Sequence, residues 1–113
     1  MARHGVVNRC GNNLTWNQVL SEPSMQSKLV IVIFTAKWCG PSRFMESFFH
    51  DLCVKYHHNL FLHIDVDEMK DIVYDMDIQG LPTFVIMKDG KELDRVLGAS
   101  KDELERKVCL HSR

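Results

Sequence analysis

The chain has little of several features that would assign it to a specialised class of protein. Acidic and basic side chains nearly balance, with 15 Asp and Glu against 14 Lys and Arg, and the basic residues form no run. A polyanion-binding surface needs clustered positive charge, so we expect no nucleic acid among its partners. No apolar segment approaches the length of a membrane-spanning helix, so we expect no membrane insertion either.

Targeting signals are also absent from the sequence. Residues 1–7 contain no apolar stretch of the kind a signal peptide needs, and Ala2 stands where an N-myristoylation signal requires glycine. We therefore expect a cytoplasmic protein. A length of 113 residues with 45% hydrophobic content predicts one globular domain over residues 1–113.

Cysteines are few and show no paired framework, which fits a reducing compartment and predicts no internal disulfide. Cys10 lies in a polar stretch and is predicted to be an exposed spare thiol, with a resolving or dimer-forming role as the alternative. Cys53 follows Met45 and Phe49 at four-residue spacing, which predicts a small core residue of a helix. Cys109 is predicted to be inert.

The remaining cysteine, Cys39, has a distinctive local setting. An apolar run at residues 29–35 predicts a buried strand that leads directly to it. Pro41 suits the first turn of a following helix, because its missing N–H is one of the donors that a helix start leaves unpaired. We therefore expect Cys39 at a helix N-terminus, where the dipole and free N–H groups favour the thiolate that attacks disulfides.

Ser42 occupies the position where a redox dithiol motif has its second cysteine. Its hydroxyl is a poor nucleophile without an activating base, so it cannot release a substrate bound to Cys39. It could donate a hydrogen bond to the Cys39 thiolate. The expected product is a persistent mixed disulfide, resolved by an external thiol such as glutathione or by a second substrate cysteine. This chemistry favours isomerisation or trapping over net reduction.

Five segments in order resemble the thioredoxin family, and in detail the plant Cys-x-x-Ser monothiol thioredoxins related to the h-type. They are residues 34–41, 64–68, 80–84, 88–91 and 98–99, within a match from about Leu14 to about Val108. The resemblance implies the α/β thioredoxin fold, a central mixed β-sheet flanked by helices on both faces.

The sequence patterns place the elements of this fold. Strands are expected at residues 5–8, 29–35, 59–65, 83–88 and 92–97, and helices at 15–21, 41–57, 68–75 and 100–110. Asp89-Gly90 predicts a hairpin, and Ser100 with Glu103 predicts a capping box. In the long helix, two rows at four-residue spacing are both expected in the core: Phe44, Phe48 and Leu52, and Met45, Phe49 and Cys53.

Substrate binding is implied by the same resemblance. Pro82 is expected to be cis, so that the backbone of Leu81 can pair with an extended substrate segment beside Cys39. The expected catalytic residues are Cys39 and Ser42. The expected substrate-binding residues are Trp38, Gly40, Pro41, Leu81, Pro82, Gly98 and Ala99.

Two further positions depart from the family pattern. Ile33 stands where thioredoxins commonly bury an Asp that shuttles protons to the resolving thiol, and His63 stands where dithiol relatives often have Lys. Because the acid, its basic neighbour and the thiol all differ together, a natural monothiol protein is favoured over an engineered trap. We expect Ile33 and His63 on adjacent strands, with no buried carboxylate within hydrogen-bond reach of Cys39 or Ser42.

Three classes of function stay open: a monothiol oxidoreductase with isomerase or glutathione-linked activity, a non-catalytic client-binding or chaperone module, and an engineered Cys→Ser trap. The expected partners are protein disulfide substrates, with glutathione or glutaredoxin as reductant, acting on a monomer without a cofactor. A metal site built from Cys53, His57, His58 and His63 is disfavoured because Cys53 should face the core. A glutaredoxin-like iron-sulfur site is disfavoured by Trp38 and Gly40-Pro41.

Overall fold

The computed structural model of the chain describes residues 5–22 and 28–112, so the N-terminal segment with Ala2 lies outside it. Five strands and four helices alternate along this part of the chain, close to the expected positions. In chain order they are β1 (Val7–Arg9), α1 (Asn13–Ser21), β2 (Leu29–Thr35), α2 (Gly40–Lys55), β3 (Leu60–Asp65), α3 (Lys70–Asp75), β4 (Thr83–Lys88), β5 (Lys91–Leu97) and α4 (Lys101–His111).

The strands form one mixed sheet in the order β1-β3-β2-β4-β5. The pairs β1–β3 and β2–β3 are parallel, while β2–β4 and β4–β5 are antiparallel. The β4–β5 hairpin turns at Asp89 and Gly90, whose φ angles of 53° and 77° are both left-handed, as a tight hairpin turn requires. The mixed sheet and its hairpin are confirmed.

The central strand β2 is buried along its whole length. Because successive side chains of a strand alternate between faces, Val32 and Phe34 join one core and Ile31 and Ile33 the other. The first core is covered by α1 and α3, and the second by α2 and α4. Helices on both faces of a mixed sheet give the thioredoxin fold, as expected.

Helix α2 buries one of its two predicted apolar rows. Met45, Phe49 and Cys53 are all buried, and the ring of Phe49 packs edge-to-face on Phe61 at 5.2 Å between centroids. This row is therefore confirmed as core. It holds α2 against the sheet and so fixes where the helix begins, beside the end of β2.

The second row of α2 is only partly buried. Leu52 lies in the core, but Phe44 is 61% exposed, so the prediction for Phe44 is wrong. A helix lying on a sheet buries a stripe roughly 100° wide, and a residue one position before the buried row lies at its margin. The Phe44 ring instead has Lys101 Nζ above it at 4.5 Å from the ring centroid.

Helix α4 begins without the predicted capping box. Ser100 does occupy the position before the helix, but its side chain makes no capping hydrogen bond. Glu103 lies 3.3 Å from Lys107 Nζ, one turn further along α4, rather than capping the N-terminus. The capping-box prediction is therefore wrong. A side-chain cap does occur at α1, where Asn12 Oδ1 accepts the Thr15 N–H at 2.8 Å.

Candidate active site

Cys39 lies directly before α2, as predicted. Its N–H donates to the Ala36 carbonyl at 3.1 Å, which closes the turn after β2, and its own carbonyl accepts the Arg43 N–H at 3.2 Å in the first turn of the helix. Pro41 lies in that first turn, which contains no acidic residue. The thiol is therefore held, half-exposed, at a helix N-terminus where positive dipole charge is not offset by a carboxylate.

Two other loops meet the thiol. The Leu81–Pro82 peptide bond is cis, as the resemblance implied, and Cys39 Sγ lies 4.0 Å from the Leu81 carbonyl oxygen. The Pro82 carbonyl accepts the Gly98 N–H at 2.8 Å, so the end of β5 is tied to the same place. The structure thus brings together residues that are 42 or more positions apart in sequence.

The surface around the thiol is open and partly apolar. Trp38 is 70% exposed, and its indole Nε1 donates to Asp67 Oδ2 at 3.0 Å. Gly40, Pro41 and Ala99 are also exposed. A groove of about 620 Å³ adjoins this surface, with Leu81, Leu97 and Gly98 among its lining residues. We call it the client groove, because its lining residue Leu81 has its carbonyl oxygen 4.0 Å from the sulfur of Cys39, the candidate nucleophile.

A model of the Thioredoxin family matches residues 8–109. The chain belongs to the thioredoxin family. It is 46% identical over 110 residues to thioredoxin H1 of Arabidopsis thaliana, covering 97% of this chain and 96% of that protein. It also matches the crystal structure of thioredoxin NaTrxh of Nicotiana alata at 37% identity, with a TM-score of 0.89 and coverage of 98% and 96% of the two chains.

A more distant match comes from a solved complex of ferredoxin:thioredoxin reductase and thioredoxin f2. This chain is 27% identical to a chain of that complex, with a TM-score of 0.88 and coverage of 97% and 98%. Family, fold and h-type plant homologues agree, so the protein is a thioredoxin-like thiol-disulfide oxidoreductase.

Ser42 of this thioredoxin is fully buried, and its hydroxyl has no hydrogen-bond partner among the described residues. The predicted hydrogen bond from Ser42 to Cys39 is therefore wrong. The two side chains diverge because Cys39 Sγ is directed towards Leu81, whereas Ser42 lies on the buried side of α2.

Ile33 and His63 occupy paired positions on β2 and β3, which confirms their predicted placement on adjacent strands. Ile33 is fully buried, so the interior at this point is apolar. In the described part of the chain, no carboxylate is hydrogen-bonded to Ser42 or to the Cys39 sulfur.

Glu46, which lies one helical turn after Ser42, was not among the predicted site residues. Its Oε1 is 2.8 Å from Nε2 of the half-buried His63. The spacing of four residues from Ser42 places both on one side of α2, and this was the available signal. The spacing could not reveal the pair with His63, because no local sequence pattern shows that α2 packs against β3. Asp67, which accepts the hydrogen bond from the Trp38 indole, was identified in the sequence only as part of the segment at residues 64–68.

The other three cysteines have different environments, and all four are free. Cys10 is fully buried, so its predicted exposure is wrong. Its N–H donates to the His63 carbonyl at 2.9 Å, continuing the β1–β3 pairing and carrying the side chain into the core despite polar neighbours. Burial raises the pKa of Cys10 and of Cys53, whose core position is confirmed. Cys109 is exposed.

Residues 5–22 and 28–112 contain neither a cluster of metal ligands nor a membrane-spanning helix. Within these ranges, no three His, Cys, Asp or Glu side chains converge as ligands of a metal ion. His57 and His58 stack on each other, with ring centroids 4.3 Å apart. None of the helices in the described ranges has the length and apolar character needed to cross a membrane.

Proposed function

We propose that this thioredoxin acts as a monothiol enzyme whose nucleophile is Cys39. The observation that carries the proposal is the contrast within the first turn of α2: Cys39 is half-exposed at the helix start, while a fully buried serine, Ser42, replaces the resolving thiol. Nothing in this arrangement can attack a disulfide formed at Cys39 from inside the protein.

The first step is attack by the Cys39 thiolate on a client disulfide. A bond forms between Cys39 Sγ and one client sulfur, the client S–S bond breaks, and the other client sulfur leaves as a thiolate that takes up a proton. If that or another client thiol then attacks the mixed disulfide, the client disulfides are rearranged with no net transfer of electrons. This outcome is isomerisation.

The mixed disulfide can also be resolved by an external reductant, either glutathione or glutaredoxin. Two molecules of glutathione supply the two electrons, so the client is released as a thiol and oxidised glutathione is formed. The fully buried Ile33 supports this route over internal resolution, because it provides no carboxylate to move a proton between two thiols. No cofactor is required.

Clients are proteins that present an extended segment to the client groove. The Leu81 backbone, 4.0 Å from Cys39 Sγ, is placed to pair with such a segment. In this proposal the same segment contacts Trp38, Gly40 and Pro41, which neighbour Cys39 in sequence. It also contacts Pro82, Gly98 and Ala99, which belong to the two other loops of the site. A solved relative that is part of a complex with a reductase supports a protein partner at this fold. Four free cysteines fit the reducing cytoplasm, which we propose as the compartment, with the monomer as the active form.

A pair of assays tests this function. With glutathione supplied, the protein should refold a scrambled-disulfide substrate slowly, and the Cys39→Ala variant should not. With NADPH, thioredoxin reductase and insulin, but no added thiol, it should show no sustained turnover. Efficient turnover there would contradict the monothiol assignment. Refolding that survives in Cys39→Ala would instead indicate a client-binding module that uses the same groove without chemistry.

A further inference from the structure

A second pocket, separate from the client groove, lies at the ends of β2 and β3 beside α2. Its volume is about 410 Å³, within the range of small-molecule sites. We call it the polar pocket, since its wall includes Thr35, Lys37, Arg43, Glu46, His63 and Asp65. It shares no lining residue with the client groove, so the two can be occupied at the same time.

The polar pocket adjoins the nucleophile. Ala36 and Arg43 both line it, and both are hydrogen-bonded to the backbone of Cys39, at 3.1 and 3.2 Å. The wall of the pocket therefore includes residues that are held against the Cys39 backbone. An extended tripeptide is about 10 Å long, so a ligand of this length can contact the pocket with both ends and project a central side chain towards the start of α2.

Lys37 and Arg43 make no side-chain hydrogen bond or ion pair within the described ranges, although other charges around the pocket are paired. Arg9 binds Glu68 at 2.6 Å, and His63 binds Glu46 at 2.8 Å. The pocket thus has two cationic side chains without an ion-pair partner in the described ranges, one before and one after Cys39 in the sequence.

Thr35 adds an independent observation. It is only 2% exposed, it lines the pocket, and its hydroxyl has no hydrogen-bond partner in the described part of the chain. Folded proteins rarely leave a buried hydroxyl unsatisfied unless a ligand or an ordered water meets it. The Thr35 hydroxyl is therefore a hydrogen-bonding group just behind the wall of the polar pocket that the described part of the chain does not use.

We propose that the polar pocket binds glutathione and presents its thiol to the mixed disulfide at Cys39. Glutathione carries two carboxylates and one ammonium group around a central thiol. Lys37 and Arg43 match the two carboxylates, and Glu46, which uses only Oε1 on His63, has Oε2 for the ammonium. This inference rests on the proposed function, because it supplies the external thiol that a monothiol enzyme requires.

The bound glutathione thiolate attacks Cys39 Sγ. A disulfide forms between glutathione and Cys39, the bond from Cys39 to the client breaks, and the client sulfur leaves through the client groove and takes up a proton. A second glutathione then attacks the glutathione sulfur of this adduct. It forms oxidised glutathione and returns Cys39 as the thiolate, so two glutathione molecules supply the two electrons.

The test measures release of a neutral, single-cysteine peptide from a preformed mixed disulfide with Cys39. A Cys109→Ser background removes the other exposed thiol. Three thiols are compared at matched thiolate concentration: glutathione, its diethyl ester and 2-mercaptoethanol. With Lys37 and Arg43 present, glutathione should release the peptide faster than the other two thiols. Its rate advantage over the diethyl ester should disappear at about 1 M salt, where exposed charges are screened.

Variants assign the effect to the pocket. Lys37→Gln and Arg43→Gln should each slow release by glutathione about two- to five-fold, the range expected for one exposed ion pair. The double variant should lose about ten-fold, with release by 2-mercaptoethanol unchanged. Lys91→Gln, an exposed cation on the β4–β5 hairpin, is the matched control and should have no effect.

Three results would overturn the proposal. Equal slowing of all three thiols would show that Lys37 and Arg43 act on the reactivity of Cys39. Unchanged rates in the double variant would show that the pocket does not hold glutathione. Slower capture of an acidic disulfide peptide, with unchanged release by thiols, would place the two cations on the client surface. In each case release would still require an added thiol, so the monothiol function would stand; release without thiol would instead contradict that function.

Discussion

Two regions of this thioredoxin differ in whether their polar side chains have hydrogen-bond partners. Near Cys39, the buried hydroxyls of Thr35 and Ser42 have no partner in the described chain. Between β5 and α4, by contrast, Asp94 is saturated with donors. Its Oδ1 accepts from Lys107 Nζ at 2.9 Å and from the Arg95 N–H at 2.8 Å, and its Oδ2 is 3.0 Å from His111 Nε2.

The contrast has an energetic consequence. Burial alone would raise the pKa of Asp94, but hydrogen bonds from Lys107 and His111 and the Arg95 N–H outweigh it and lower the pKa from 3.8 to about 2. The hydrogen bond to Asp94 likewise raises the pKa of Lys107. The Asp94 cluster therefore stabilises the fold, whereas the buried hydroxyls of Thr35 and Ser42, which have no partner in the described chain, carry a desolvation cost near Cys39.

The largest expected effect is the loss of chemistry on changing Cys39. In a Cys109→Ser background, which removes the exposed thiol of α4, Cys39→Ser should form no mixed disulfide with a client, since no other thiol lies half-exposed at a helix N-terminus in the described chain. Because the side chain makes only a long contact to Leu81, the free energy of unfolding should change by less than about 0.5 kcal/mol. Mass spectrometry of adducts and urea unfolding measure the two quantities. A loss of stability as large as that of a core substitution would show that the Cys39 side chain also stabilises the fold.

Ser42→Cys should give the next largest change. A thiol at this buried position, three residues after Cys39, would restore the missing internal attacker, so reductase-coupled insulin reduction should rise from background to a measurable rate. The rate should stay below that of a dithiol thioredoxin because Ile33 supplies no proton relay. A rate in the single variant equal to that of a dithiol thioredoxin would show that Glu46 and His63, or another group, already relay the proton.

Asp94→Asn tests the saturated region. A pKa lowered from 3.8 to about 2 corresponds to about 2 kcal/mol of stability at neutral pH. The depressed pKa means that wild type keeps this contribution above about pH 4 and loses it as the pH falls through about 2. The variant should be less stable by about 2 kcal/mol at pH 7, with the difference vanishing towards pH 2. Urea unfolding across this range measures it. A pH-independent difference would show that packing, not charge, is responsible.

The smallest expected effect concerns a matched pair of buried threonines that differ in whether the hydroxyl has a hydrogen-bond partner. Thr35 and Thr83 are both buried in strands, but only Thr83 has a partner, donating from Oγ1 to the Gly80 carbonyl at 2.6 Å. Thr83→Val should reduce the free energy of unfolding by about 1 kcal/mol or more. Thr35→Val should leave it unchanged or raise it by up to about 1 kcal/mol. Equal losses in urea unfolding would mean that Thr35 also has a stabilising partner.

Much of the fold and the nucleophile could be predicted because local patterns determine them. The apolar run of β2 and Pro41 place Cys39 at a helix start, and the hairpin residues Asp89 and Gly90 have the left-handed φ angles that their turn needs. The cis bond before Pro82 and the approach of Leu81 to Cys39 were expected only from the family resemblance. No local pattern joins two residues 42 positions apart.

The failures at Cys10 and Phe44 share one physical cause, which is that packing between distant elements overrides local composition. Polar neighbours suggested an exposed Cys10, but strand pairing with His63 buries it. Apolar spacing suggested a buried Phe44, but it lies at the margin of the stripe that α2 packs on the sheet. The Glu46–His63 pair links α2 to β3, and the polar pocket draws its wall from three strands and a helix.

A mixed disulfide at Cys39 should have no attacker within the protein, and the rate of its release without added thiol measures this directly. A purified mixed disulfide with a single-cysteine peptide is incubated at pH 7, and release is followed against glutathione concentration. The observed rate should rise with glutathione concentration and extrapolate to zero without it. A first-order release that persists at zero thiol, and that disappears when Cys10 or Cys109 is replaced by serine, would reveal an internal resolving cysteine and contradict the account.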